Sequence, residues 1–319
     1  KFDIYYPESR VADAGVEFVN KGLDMGVLKK SKGAVVFVGE KHGLHTRVFL
    51  SGEGLPTYEA KDLGLNQIKY NEYPFDHSLI ITGLEQIDYF KVVLKAMSLI
   101  NPEIASRTKH MAHGHMKLSS GKMSSRSGNV ITAEAMLEGT EARVLEVIKD
   151  KEDLTEKERK DIVRNVAIAA IKYPILKTSI GKNIVYDVEK SVAFQGDSGP
   201  YIQYTYARLA SILRKAKDDG VEASDGVANL TEDIELSIIK LMMFFPDIVA
   251  KAAKNSAPSI VANYIYELSN LVNTYYEQVR IMKDDNTERK QARLFLVQAV
   301  TKILKQGLYI LGIETLEKI

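Results

Sequence analysis

At 319 residues the chain is long enough for two or three domains, and its 45% hydrophobic and 27% charged content is that of an ordinary soluble protein. No apolar run approaches the roughly 20 residues that cross a bilayer and no secretory leader is visible, so a cytoplasmic protein without membrane contact is expected. Zero cysteines exclude disulfides and thiolate metal sites, and a net charge of +1 leaves any RNA surface to local patches.

The first third reads as alternating α and β. Residues 16–26 have helical spacing and lead into a turn at 29–33, followed by strand patterns at 34–38 and 46–51. Residues 57–66 read as a short helix. A buried-strand pattern at 77–83 ends on Gly83 and runs into 84–100, where Ile87, Phe90, Leu94 and Met97 recur at helical spacing. Strand, glycine and amphipathic helix form a unit of an open parallel sheet, in which ligands bind at the carboxyl ends of strands, here near 82–86. Residues 111–118 read as another strand.

From about residue 135 the pattern is helical. Residues 160–171 are amphipathic, and Ser198, Gly199 and Pro200 supply a cap and a first-turn proline to a helix carrying Ile202, Tyr206, Leu209 and Leu213 on one stripe. Longer patterns follow at 236–254, 259–281 and 287–311, and 215–233 is the clearest exposed connection. The expected fold class is α/β plus all-α, with a partial Rossmann-like nucleotide-binding domain at 1–140 and a helical bundle at 141–319.

Between these parts stands the most informative stretch, Gly121 to Asn129, in which two glycines bracket cations and hydroxyls. Lys122 and Arg126 supply charge and Ser124, Ser125 and Ser127 supply donors, the groups that a polyphosphate in transfer needs. With Met123, this segment resembles the KMSKS loop of class I aminoacyl-tRNA synthetases in the KMSSR form of many arginyl-tRNA synthetases. The same family is resembled by Phe2 through Ser9, by Tyr58 through Gly64, by Gly83-Leu84-Glu85-Gln86 and by Phe194 through Arg208. Asn273 to Tyr276 and Leu311 to Ile313 are similar to the last helices of its anticodon-binding domain, so the resemblance runs the length of the chain.

The resemblance implies an arginine–tRNA ligase. Arginine's carboxylate would attack the ATP α-phosphate, and the aminoacyl group would then pass to the terminal ribose of arginine tRNA. Lys122, Ser124, Ser125 and Arg126 would act on the phosphates, with Mg²⁺ as companion of ATP and no tightly bound cofactor or protein-held metal. Glu8, Tyr58, Asp62 and Gln86 would bind arginine. A planar guanidinium is best held by carboxylates, and Tyr58 and Asp62 stand one helical turn apart. Gly83, His113, Gly114, His115, Met116, Lys122 and Met123 would bind ATP. Gln195, Asp197, Tyr201, Arg208, Tyr276 and Ile319 would contact tRNA, and a monomer is expected.

The sequence also departs from the family pattern. Ser125 occupies the place of the second KMSKS lysine, and Ile319 that of a usual methionine. His113-Gly114-His115 stands too close to the loop to be the HIGH signature, and its spacing to Gly121 and Lys122 does not make a Walker A motif. Residue 1 falls inside the family's catalytic domain, so the chain is expected to lack the HIGH half and to be a poor enzyme alone. The alternatives are another class I synthetase, a noncatalytic tRNA-binding or scaffold protein derived from one, and a general helical interaction protein.

Overall fold

The computed structural model describes residues 2–118, 132–149 and 154–319. The chain forms two compact units, 1–115 and 116–319. This division precedes the expected change at 140/141, because the helix at 133–147 packs within the second unit. Among the described residues no helix is long and apolar enough to cross a membrane.

In the first unit, helix α1 (Glu8–Asp24) follows the extended Pro7 and buries Val11, Gly15, Phe18, Val19 and Gly22. Strands β1 (Lys29–Ser31) and β2 (Ala34–Phe37) are joined by Lys32 and Gly33, both at positive φ (49° and 83°). So short a connection closes only an antiparallel hairpin. Segment 29–33 is therefore mostly strand rather than a turn alone. Strand β3 (Arg47–Leu50) adds antiparallel to β2, making this sheet a meander.

Helix α2 (Tyr58–Glu72) extends past the expected 57–66 and lies directly on α1. A Cβ on Gly64 would meet Gly15 N at 2.4 Å, and one on Gly15 would meet the Ala60 carbonyl oxygen at 2.6 Å. The two backbones touch there.

Strand β4 (Ser78–Gly83) passes through a 3₁₀ turn (Leu84–Gln86) into α3 (Ile87–Ile100), α4 (Pro102–Arg107) and β5 (Thr108–His113). β4 and β5 are parallel, with Ser78 opposite Thr108 and Gly83 opposite His113. This is the expected strand–helix–strand crossover. α3 packs Val92, Val93 and Met97 into a core shared with Phe18, Phe49 and Leu63. Burying a side chain such as Leu63 or Met97 completely contributes about 1.5–3 kcal/mol.

In the second unit, β6 (Met116–Leu118) is separate from β5, so 111–118 is not one strand. Helices α5 (Ala133–Val147) and α6 (Glu156–Lys177) follow, then β7 (Ile184–Tyr186), which pairs parallel with β6. After α7 (Val188–Ser191), α8 (Gly199–Asp218) begins as expected, with the Ser198 hydroxyl accepting from Tyr201 N at 3.1 Å. The 236–254 pattern is two helices, α9 (Asp233–Met243) and α10 (Phe245–Asn255). Pro246 has no N–H to donate back and stands in the first turn of the second helix. Helices α11 (Pro258–Gln278) and α12 (Thr287–Ile310) complete the bundle. Its core includes Ile202, Leu209, Ile265, Leu268, Val297, Leu304 and Leu308, with Tyr206 and Tyr275 buried among them.

A buried ionic cluster ties this bundle together. Arg293 on α12 donates to Glu235 on α9 and to Asp284, each at 2.6 Å. Asp284 also receives two bonds from Arg289, at 2.6 and 2.8 Å, which with Arg293 lower its pKa to about 2. The cluster anchors the end of the 3₁₀ turn Ile281–Lys283 that links α11 to α12.

Candidate functional site

In the first unit, the close crossing of α1 and α2 gathers three of the four residues expected to bind arginine. Glu8 opens α1, Tyr58 opens α2, and Asp62 follows one turn later. Asp62 points inward, and its Oδ2 accepts from the Tyr89 hydroxyl of α3 at 2.5 Å. Burial raises the Asp62 pKa above the ordinary carboxylate value, while the Tyr89 bond opposes that rise. Burial and the neighbouring Asp62 raise the Tyr89 pKa, so Tyr89 remains a neutral donor.

Behind them, Arg47 of β3 places its guanidinium 5.2 Å from the Tyr89 ring centre and donates to Glu59 at 3.1 Å. Arg47 Nε is buried without a hydrogen-bond partner. Glu8 and Tyr58 lie nearer solvent, and both contact Lys61. Its Nζ is 2.8 Å from Glu8 Oε2 and 5.3 Å from the Tyr58 ring centre. Gln86 is half-buried at the start of α3.

The expected nucleotide-binding residues of this unit stand at the carboxyl ends of the two parallel strands. Gly83 ends β4, and a Cβ there would meet the Glu85 carboxylate at 2.4 Å. His113 ends β5 and donates from Nδ1 to the Gly114 carbonyl at 2.9 Å, while His115 pairs with Glu85 at 3.3 Å. Met116 begins β6 in the second unit. Lys122, Met123, Ser124, Ser125 and Arg126 lie outside the described residues.

Sequence reasoning missed Tyr89, Arg47, Glu59, Lys61 and His110. Tyr89 follows Gln86 by one turn on the helix leaving the strand end, a local cue that was available. His110 is stacked on Phe90 (4.3 Å) and hydrogen-bonded to Thr82 (2.7 Å), and burial lowers its pKa. No pattern in the sequence pairs those residues.

In the second unit, Arg208 of α8 lies between two rings, 4.8 Å from the Tyr204 centre and 4.6 Å from that of Tyr276, and donates to Asn273 at 2.7 Å. A groove of about 880 Å³ beside it is lined by Arg214, Lys215, Arg280, Lys283, Lys318 and Ile319 among others. An adjoining cavity of about 440 Å³ takes in Gln195, Tyr201 and Ile319. The Tyr201 hydroxyl donates to Asn270 at 2.8 Å. Asp197 already accepts from Tyr173 (2.6 Å) and Lys177 (2.9 Å), which holds the 194–198 loop against α6. A cation stacked between the half-buried Tyr204 and the exposed Tyr276 beside a basic groove offers the kinds of group that stack and neutralise single-stranded RNA.

Comparison with known proteins gives the family of each part. The family described as "tRNA synthetases class I (R), catalytic domain" matches residues 2–188, and that described as "DALR anticodon binding domain" matches 202–319. The chain is 34% identical to the arginine–tRNA ligase of Bacteroides thetaiotaomicron over 322 residues, covering 98% of this chain and 53% of that protein. It is 34% identical to that of Borrelia hermsii over 329 residues, covering 99% and 56%. The chain thus spans about half the length of these curated relatives. Among solved structures, Thermus thermophilus arginyl-tRNA synthetase superposes with a TM-score of 0.82 at 25% identity, covering 95% of this chain and 58% of that one. The Plasmodium falciparum arginyl-tRNA synthetase shares the fold, with a TM-score of 0.80 at 19% identity and coverage of 99% and 55%.

Proposed function

The chain belongs to the arginyl-tRNA synthetase family, and on that premise we propose that it serves as the arginine pocket, part of the ATP site and the anticodon reader of an arginine–tRNA ligase. The observation that carries this reading is Asp62, a partly buried carboxylate with one oxygen bonded to the neutral Tyr89 and no cationic hydrogen-bond partner among the described residues. Lys69 acts on Asp62 only through its field, and a guanidinium entering beside the carboxylate would add direct positive charge and bidentate donors. Glu8 would be the second carboxylate, the Tyr58 ring would cover the cation, and Gln86 would hold the amino-acid end.

Gly83 and 113–116 would flank adenine. Lys122 and Arg126, with the hydroxyls of Ser124 and Ser125, would neutralise the phosphates as arginine's carboxylate attacks the α-phosphorus and pyrophosphate departs. Mg²⁺ would arrive with ATP and share that neutralisation. A hydroxyl of the terminal ribose then attacks the acyl carbon and AMP leaves. Tyr276, Arg208, Gln195, Tyr201 and Ile319 would receive anticodon-side bases, with Asp197 keeping their loop in place. The protein would act as a cytoplasmic monomer.

Calorimetric titration of this chain with L-arginine and with L-citrulline, the uncharged analogue of the same shape, tests the reading. Arginine should bind and citrulline should not, and Asp62→Ala should abolish arginine binding. Equal binding of the two, or an unaffected variant, refutes the pocket. Salt-sensitive tRNA binding with no arginine binding would favour a noncatalytic RNA-binding role instead.

A further inference from the structure

We propose that Lys61 is a built-in competitor of the substrate cation, occupying Glu8 and Tyr58 in the empty protein and setting both affinity and selectivity for arginine. The inference rests on the arginine pocket proposed above. Two of the groups assigned there to hold a guanidinium already hold an ammonium, with Lys61 Nζ 2.8 Å from Glu8 Oε2 and 5.3 Å from the Tyr58 ring centre. Lys61 and Tyr58 are one helical turn apart on α2, which puts the ammonium beside the ring by local geometry alone. A second cation entering the same place meets a like charge at close range and must displace it.

Displacement is feasible. The Lys61 side chain is 23% exposed and that of Glu8 60%, so the pair stands at the solvent edge, and the flexible stem can swing outward. Exposed pairs are worth up to about 1 kcal/mol, which corresponds to roughly a fivefold change in affinity. Asp62 differs, because its hydrogen bond comes from a neutral hydroxyl. The inner carboxylate stays open while the outer one is guarded.

The guard also discriminates. A guanidinium offers a planar fork of donors that a carboxylate accepts pairwise, so it replaces the ammonium with a net gain. A free lysine or ornithine would only exchange one ammonium for another. Lys61 thus works against the wrong cation more than against the right one.

Calorimetric titration of the chain, Lys61→Met and Lys61→Arg with L-arginine and L-lysine tests this. Lys61→Met should bind arginine about two- to fivefold more tightly, with a smaller preference over lysine. Lys61→Arg carries a guanidinium that grips Glu8 harder, and should bind arginine more weakly than the unaltered chain. Equal or weaker arginine binding by Lys61→Met overturns the proposal. Should that variant fail to melt cooperatively, Lys61→Arg decides alone, and equal or tighter binding by it overturns the proposal. If the unaltered chain binds arginine, such a result leaves the pocket standing; if none of the folded proteins binds it, pocket and competitor fall together.

Discussion

Replacing Arg293 with methionine would test what holds the helical unit together. The change keeps an unbranched stem of similar bulk and removes the guanidinium, whose side chain is only 7% exposed. Besides a 3.7 Å ion pair with the exposed Glu232, Arg293 has two hydrogen-bonded acidic partners, and these do not suffer equally. Asp284 keeps the paired bonds from Arg289, at 2.6 and 2.8 Å. Glu235, with 0% exposure, is left with Tyr275 at 3.3 Å and the Glu232 amide at 3.0 Å, and no cation within bonding distance. Breaking a buried pair by removing one partner costs about 3–5 kcal/mol, and the loss here should fall near the lower end because only one carboxylate is stranded. Urea unfolding followed by circular dichroism at neutral pH would measure it. Arg293→Met with Glu235→Gln should recover much of the loss, since no buried charge then lacks its counterpart. A single-variant loss under about 1 kcal/mol, or a double variant no better than the single, would refute this account of the cluster.

Asp62→Asn should stabilise the empty chain at neutral pH while removing arginine binding. The folded Asp62 carboxyl, its pKa raised chiefly by burial, contributes stability that is full in acid and lost as pH rises through its folded value. Asparagine has no such loss, so the melting-temperature advantage should be larger at neutral pH than at the ordinary Asp pKa of about 4, and an equal advantage at both would contradict the argument. Gly64→Ala should cost about 1–3 kcal/mol, because its methyl group would stand 2.4 Å from Gly15 N and only backbone movement can relieve the clash. Thermal melting of the variant reads this directly, and an unchanged midpoint would show that α1 and α2 separate without penalty.

How much of this was legible in the sequence depended on the range of the signal. The β4–α3 unit was readable because an apolar strand, a glycine and a 3.6-residue stripe are all local, and the α8 start because Ser198 and Pro200 mark it. The antiparallel meander was not legible, because 29–33 reads as a turn and the 34–38 and 46–51 patterns look alike in either sheet type. The break between α9 and α10 was written at Pro246, but the apolar spacing continued across it. Tyr58 and Asp62 were found through the family motif. Tyr89 and Arg47, whose contacts reach across 27 residues to Asp62 and 12 to Glu59, had no periodic pattern to reveal them. Lys61 stood inside the motif, yet its bond to Glu8 spans 53 residues and exists only once α1 and α2 have packed.

That packing makes the dimensions of the proposed pocket an inherited quantity. Glu8 lies seven residues, or roughly 10 Å of helix, from Gly15, and Asp62 lies half a turn from Gly64. The two glycines act as a pivot, with Glu8 at the end of the longer arm. Any change in the crossing would be magnified on its way out and appear as a change in the gap that admits the ligand's cation. The length of side chain the proposed pocket would accept should therefore be tunable at positions remote from Glu8 and Asp62, and a search for altered ligand range would do well to begin among the neighbours of Gly15 and Gly64.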